Sequence, residues 1–350
     1  MPLSRLEDQM TFVERTGWGN ADLFPLPSDA SFRSYIRLIR DGESRMLMDA
    51  PPAMEKLPEY LRINKHLADL GLRVPRIYAD DQEQGFALIE DFGDDTFTRL
   101  LEKGHSEHDL YLKAVDVLVK LHTSGRKATK IDVPDYDMDT LLEEVELFVD
   151  WFVPAARGEV ASVAEKEAYM QVWRAALANI SQDRSVLVLR DYHVDNLMIL
   201  PESSAAADCG LLDFQDALIG ARAYDLMSLI EDARRDVSAG TKAAVLERYF
   251  SRCPDVVRTE IAEDMALLGA QRHAKVAGIF LRLSRRDSKP LYLGHMPRVL
   301  KLLSQSLEHP QLNDVRKMIE KLVPGYEAIR SFGSRDGRST FIPLTMSIER

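Results

Sequence analysis

The sequence predicts an α+β protein of two unequal lobes. A small lobe built on an antiparallel sheet is expected over residues 1–90, and a larger, mainly helical lobe over 91–350. Three observations carry this. The chain has 350 residues, about two domains' worth at roughly 150 residues each, and 45% of them are apolar, enough for a sizeable core. The first ninety residues hold several short runs that alternate apolar and polar side chains. Beyond residue 94 the apolar residues recur mostly at helical spacing instead.

Taken in order, Leu3 to Gly17 reads as a short amphipathic helix, with charges at Arg5, Glu7 and Asp8 and no apolar run of signal-peptide length. A polar turn, Ser28 to Ser31, precedes an alternating strand over 32–40; Asp41-Gly42 is a hairpin signal, and 45–48 the returning strand. Residues 57–70 have helical spacing and end at Gly71, and 74–78 and 86–89 read as two further strands. Helices are predicted over 110–122, 141–152 and 164–180. Short strand-like runs fall at 186–189, 197–200 and 211–214. Helices follow over 243–250, 258–283, 299–307 and 315–322, and a loosely attached tail over 331–350.

Composition narrows the function. Against 45 basic residues stand 56 acidic ones, a net charge of −11, so nucleic acid and anionic membrane surfaces are poor partners. No stretch approaches the roughly 18 apolar residues of a membrane span. The two cysteines, Cys209 and Cys253, have neither zinc-site nor redox-pair spacing, which favours a reducing, cytoplasmic setting. The expected form is a monomer acting on a small molecule.

The most informative stretch is Leu189-Arg190-Asp191-Tyr192-His193-Val194-Asp195-Asn196, followed by Leu211-Leu212-Asp213-Phe214. An Asp, an Asn five residues on, and a second Asp beyond a strand–turn–strand form a layout used for phosphoryl transfer. The first Asp orients the attacking hydroxyl and accepts its proton; the Asn and second Asp offer hard oxygen ligands to Mg²⁺ on the nucleotide phosphates. Because the loop 190–196 is flanked by apolar runs, it is expected at one edge of a rigid hairpin, with Asp213 at the end of the next strand.

Together with Gln215-Asp216-Ala217 and Tyr224-Asp225-Leu226, these residues resemble the aminoglycoside/choline phosphotransferase branch of the protein-kinase-like fold. The resemblance runs from about residue 20 to about 320. Within that branch Ser28 to Tyr35, Met48 to Pro52 and Arg190 to His193 look most like the bacterial anomeric kinases for N-acetylmuramate and N-acetylglucosamine of cell-wall recycling. The resemblance implies an ATP- and Mg²⁺-dependent kinase making a sugar 1-phosphate. Asp191 would be the catalytic base, and Asn196 and Asp213 the Mg²⁺ ligands. The interlobe hinge falls near 89–94, where the backbone around Glu90 and Asp91 would meet adenine. Asp225 would brace the catalytic loop. Other acceptors (an aminoglycoside, choline, homoserine) and a nucleotide-binding pseudokinase scaffold stay open as alternatives.

This chain departs from the pattern in three places. Asp91-Phe92-Gly93 spells a metal-binding tripeptide but precedes the catalytic loop by about a hundred residues, a position that suits a hinge; the working equivalent is Asp213-Phe214-Gln215. The phosphate loop has no G-x-G-x-x-G, so Ser28 and Ser31 in a small polar turn are the nucleotide-side candidates. The returning strand, Arg45 to Asp49, lacks the phosphate-holding Lys, and Arg33 is the proposed source of positive charge. On the acceptor side, Glu143, Glu146 and Asp150 share a helix face beside Trp151, a group able to grip sugar hydroxyls and offer a flat apolar surface. A solvated acidic face with a core Trp reads the same way. His193 is placed to touch the acceptor or to brace the loop. Arg222 and the Arg285-Arg286 pair are candidates for the lactyl carboxylate of N-acetylmuramate.

Overall fold

The structure, a computed structural model, describes residues 3–27, 32–200, 209–330 and 332. Ser28 and Ser31 therefore lie outside the described residues, as does the 331–350 tail apart from Phe332. The chain divides into two compact units, Met1–Asp132 with Leu189–Ala217, and Val133–Val188 with Leu218–Arg350.

In chain order the elements are α1 (Leu3–Arg15), β1 (Asp22–Pro25), β2 (Ser34–Arg40), β3 (Glu43–Asp49), α2 (Leu57–Asp69), β4 (Ile77–Asp81), β5 (Phe86–Glu90), α3 (Phe97–Glu102), α4 (Glu107–Thr123) and α5 (Arg126–Thr129). There follow α6 (Met138–Leu147), a π-helical turn (Phe148–Phe152), α7 (Val153–Arg157), α8 (Val163–Ala176), β6 (Val186–Val188), β7 (Leu197–Ile199), β8 (Cys209–Leu211) and β9 (Leu218–Gly220). The chain closes with α9 (Ala223–Ile230), α10 (Ala239–Arg252), α11 (Arg258–Arg285), α12 (Met296–Ser306) and α13 (Asn313–Leu322).

The first unit is organised by a five-stranded antiparallel sheet in the order β1-β2-β3-β5-β4. Asp41 and Gly42 turn β2 into β3 with φ of 52° and 82°. Two positive φ values match the right-handed twist of the flanking strands, which is why this dipeptide closes hairpins. On one face α1 contributes Phe12 and Val13 to a core with Trp18, Leu38, Leu47, Phe86 and Leu88. Met46 and Met48 flank Leu47 in β3, so the pleat turns them to the opposite face, and they too are buried.

Two strands begin or end elsewhere than the alternation predicts. The strand expected over 74–78 starts at Ile77. Pro75 has no N–H to give a ladder, and its carbonyl is taken by the Asn64 side chain at 2.8 Å. The run expected over 211–214 is strand only at Cys209–Leu211, and Asp213 has left-handed φ of 58°. The expected hairpin around 190–196 is also corrected: β7 pairs with β8 in the first unit, whereas β6 pairs with β9 in the second. The loop thus leaves one two-stranded sheet and enters another.

The second unit is helical around α11, which is buried along most of its length from Leu267 onward. The helix predicted over 141–152 is α6 continued by a π turn over Phe148–Phe152, which fits one extra residue into the helix. Gly278 marks where α11 meets this junction: a Cβ there would lie 2.3 Å from the Leu147 carbonyl oxygen. In a free helix Gly→Ala gains about 1 kcal/mol. Here the blocking atom is backbone, so Gly278→Ala is expected to lower the melting temperature instead, with about 1–3 kcal/mol of overpacking cost. A raised melting temperature would contradict that packing. No helix among the described residues is long and apolar enough to cross a membrane.

Candidate active site

The site is built on the Leu189–Ala217 segment of the first unit. Arg190 has φ of 69°, and the Asp191 N–H donates to the Leu189 carbonyl at 2.9 Å, closing a three-residue turn. Such a turn is sparsely populated for a non-glycine residue and persists only where its surroundings hold it. They do. The buried Tyr192 hydroxyl donates to the Ala114 carbonyl on α4 at 2.7 Å, and the Thr98 hydroxyl on α3 donates to the Asp195 carboxylate. The Asn196 amide donates to the Asp191 carbonyl at 2.9 Å, and its own carbonyl accepts the Leu212 N–H at 2.9 Å. That last bond places Leu212, and so the neighbouring Asp213, beside Asn196. Asp191, Asn196 and Asp213 are thus brought together. His193 is 4% exposed, 3.8 Å from the Asp195 carboxylate and 3.4 Å from the Asn196 amide, contacts that sit it within the loop.

The β7–β8 pair is tied to the sheet-bearing part of the same unit. Ile199 N–H donates to the Asp95 carbonyl and Leu211 N–H to the Arg73 carbonyl, at 3.1 and 2.8 Å. Phe92 packs on Gly210, where a Cβ would lie 2.7 Å from its ring, and the Arg73 guanidinium lies 4.8 Å from the ring centroid. Asp91 accepts from Arg37, and Glu90 from Arg73. The hydrogen bonds from Arg73 hold the Glu90 carboxyl below its usual range although burial opposes this. The Glu90 N–H is engaged by the Arg76 carbonyl at 2.8 Å.

Arg33 is the densest node. Its side chain is 8% exposed, with Nε 3.3 Å from Glu55, one terminal nitrogen donating to Gln215 Oε1 at 2.6 Å and the other to Asp213 Oδ1 at 2.9 Å. Burial works against its charge, but Tyr35, Asp213 and Glu55 together hold the guanidinium more firmly protonated than usual. Burial likewise pushes the Tyr35 phenol up, with Arg33 opposing.

The acceptor-side candidates belong to the second unit. Glu146 and Asp150 both hold Lys166 of α8, at 2.6 and 2.7 Å, while Glu143 is exposed and Trp151 half-buried. Arg286 pairs with Asp287 at 2.7 Å, and Arg285, for which no ion pair is found among the described residues, is pushed down by burial. Arg222 lies against Tyr249 and Cys253, and Asp225 is buried in α9. Three polar residues escaped the sequence reading. Glu55 and Gln215 meet Arg33 across the fold, although Gln215 was visible as the residue standing where kinases place Gly. Glu144 sits on the buried side of α6, and only the helix phase separates it from the exposed Glu143.

An antiparallel sheet, a mainly helical remainder and a held Asp–Asn–Asp group define a phosphoryl-transfer enzyme of protein-kinase-like fold. The chain belongs to the phosphotransferase enzyme family (APH), whose model matches residues 22–261. It is 34% identical to the N-acetylmuramate/N-acetylglucosamine kinase of Caulobacter vibrioides, over 89% of this chain and 95% of that protein. Proteins of the same name from Pseudomonas aeruginosa and Neisseria meningitidis are each 34% identical, over 89% of this chain and 93% of theirs. Among solved structures, a choline kinase from Streptococcus pneumoniae superposes with a TM-score of 0.61 at 15% identity, covering 85% of this chain and 99% of that one. A choline/ethanolamine kinase family protein from Mesorhizobium loti gives 0.59 at 11% identity, covering 89% and 99%. At those identities the likeness is one of fold.

Proposed function

We propose that this phosphotransferase moves the γ-phosphoryl group of ATP to the anomeric hydroxyl of N-acetylmuramate, N-acetylglucosamine or both, yielding the sugar 1-phosphate for cell-wall recycling in the cytoplasm. The observation that carries this is the 34% identity to kinases named for those two sugars, across nine tenths of the chain. The intact Asp191–Asn196–Asp213 group supports it. In this reading Asp191 accepts the proton of the anomeric hydroxyl as the hydroxyl oxygen attacks in line, and ADP leaves. Asn196 anchors its amide N–H on the Asp191 carbonyl, which directs its side-chain oxygen away from that bond. With the Asp213 carboxylate it makes a hard, all-oxygen donor pair, a fit for Mg²⁺. Mg²⁺, when bound, would neutralise charge on the phosphates. Glu90 and Asp91 mark the hinge between a nucleotide lobe over 1–90 and a catalytic lobe over 91–350. Glu143, Glu146, Asp150, Trp151 and His193 are the acceptor-side candidates, and one chain suffices for the reaction.

The test is purified protein with Mg-ATP and each sugar, followed by ³¹P NMR. The expected product is an acid-labile, alkali-stable sugar phosphate. Phosphate found only on the 6-hydroxyl would overturn the anomeric assignment. Turnover with choline or an aminoglycoside but neither sugar would overturn the acceptor.

A further inference from the structure

The first unit carries a forked arginine where the strand lysine is missing. Position 33 lies just ahead of β2, whereas the absent lysine would have stood on β3. Three observations set Arg33 apart from an ordinary strand cation. It is buried, each arm of its guanidinium has a different partner, and two of those partners hold something besides Arg33. Glu55, in the turn ahead of α2, accepts the Phe32 backbone N–H at 3.0 Å on one oxygen and faces Arg33 Nε at 3.3 Å with the other. One carboxylate thereby fixes both the backbone leading into residue 33 and its side chain. Gln215 accepts from Arg33 through Oε1 at 2.6 Å and donates through Nε2 to Asp213 and Asp216, each at 3.0 Å. Its amide can satisfy both sides in only one orientation, so it couples Arg33 to the carboxylate expected to hold the metal. A Gly at 215, as in the kinase tripeptide, would lose all three bonds.

We infer that Arg33 supplies the phosphate-side cation of this enzyme from the mouth of β2, and that Glu55 and Gln215 are its positioning residues, together replacing the lysine–glutamate pair that β3 cannot make. The inference rests on the kinase reading but is read out in nucleotide binding, which needs no acceptor. The choice of arginine follows from geometry. A planar fork of donors can meet three partners at once, whereas an ammonium on a flexible stem is a point charge.

The experiment is calorimetric titration of full-length protein with ADP, with and without MgCl₂, alongside steady-state KM values for ATP and sugar and a melting curve for each variant. Arg33→Ala is expected to weaken ADP binding and raise the ATP KM by roughly tenfold to a hundredfold, the range for hydrogen bonds to charged groups, with the sugar KM unchanged. Arg33→Gln guards against a variant that fails to fold. Glu55→Gln and Gln215→Gly are each expected to weaken ADP several-fold in wild-type background; in the Arg33→Ala background Glu55→Gln should add nothing, since it acts through Arg33, and Gln215→Gly should add less than in wild type, since it also holds Asp213 directly. Arg33→Lys keeps the charge and loses the fork, so it should not rescue. Additive losses, full rescue by Lys, or variants that melt lower yet bind ADP normally would each overturn the inference. Wild-type protein that binds ADP in this pattern but makes no sugar phosphate would sink the acceptor assignment and leave this one standing.

Discussion

Asp191→Asn is expected to cut kcat by roughly 10²- to 10⁴-fold, the range of a positioned general base, while the KM values for ATP and sugar stay within a few-fold. The reason is that the loop is held by groups that the substitution leaves in place. The turn at Arg190 is secured by the backbone bond from Asp191 N–H to Leu189, and the loop beyond it by Tyr192 on Ala114, Thr98 on Asp195 and Asn196 on the Asp191 carbonyl. The two bonds made by residue 191 itself in this set use its backbone, so an amide of the same shape leaves them in place. The loss should therefore fall on the chemical step, as for an interaction made in the transition state. A coupled ADP-release assay with a melting curve checks this. A variant with near-normal kcat would remove Asp191 as the base; one with normal kcat and a raised sugar KM would make it an acceptor contact instead.

Much of this arrangement was legible in the sequence because its signals are local. The Asp41-Gly42 turn needs only its own two φ values, and α11 repeats its apolar spacing over many turns, so sheet and helix declare themselves without distant partners. The Asp191–Asn196 spacing is likewise a property of one loop. What the sequence concealed is long-range or a matter of phase. Three-residue apolar runs such as Val186–Val188 and Leu197–Ile199 do not specify a partner, and the hairpin reading joined them when each pairs elsewhere. Leu218–Gly220, a strand of the same length, was not recognised. The π turn after Leu147 adds a residue that no periodicity template anticipates. Glu55 and Gln215 reach Arg33 from segments far along the chain, and nothing near either residue announces the bond. The missing β3 lysine was visible as an absence and Arg33 as the candidate to replace it; the partners that hold Arg33 became visible only once the start of β2 and the 213–216 turn shared a unit.

Lys275→Met should destabilise the second unit by about 3–5 kcal/mol, as removing one partner of a buried ion pair does, lowering the melting temperature on the order of 10 °C. Lys275 and Glu144 lie 2.6 Å apart with side chains only 9% and 8% exposed. The other Glu144 oxygen takes the Tyr136 hydroxyl and the Gln271 amide, and Gln271 also reaches the Leu141 carbonyl. The carboxylate therefore ties the segment before α6, α6 itself and α11 into one buried network. Met fills the volume of the lysine stem without its charge, which removes the ammonium that Glu144 holds. Chemical unfolding measures the loss. Glu144→Gln combined with Lys275→Met should lose less than the two single changes summed, because the two residues share one buried contact. Strictly additive losses would mean that packing of the lysine stem, and not its charge, is what the network needs.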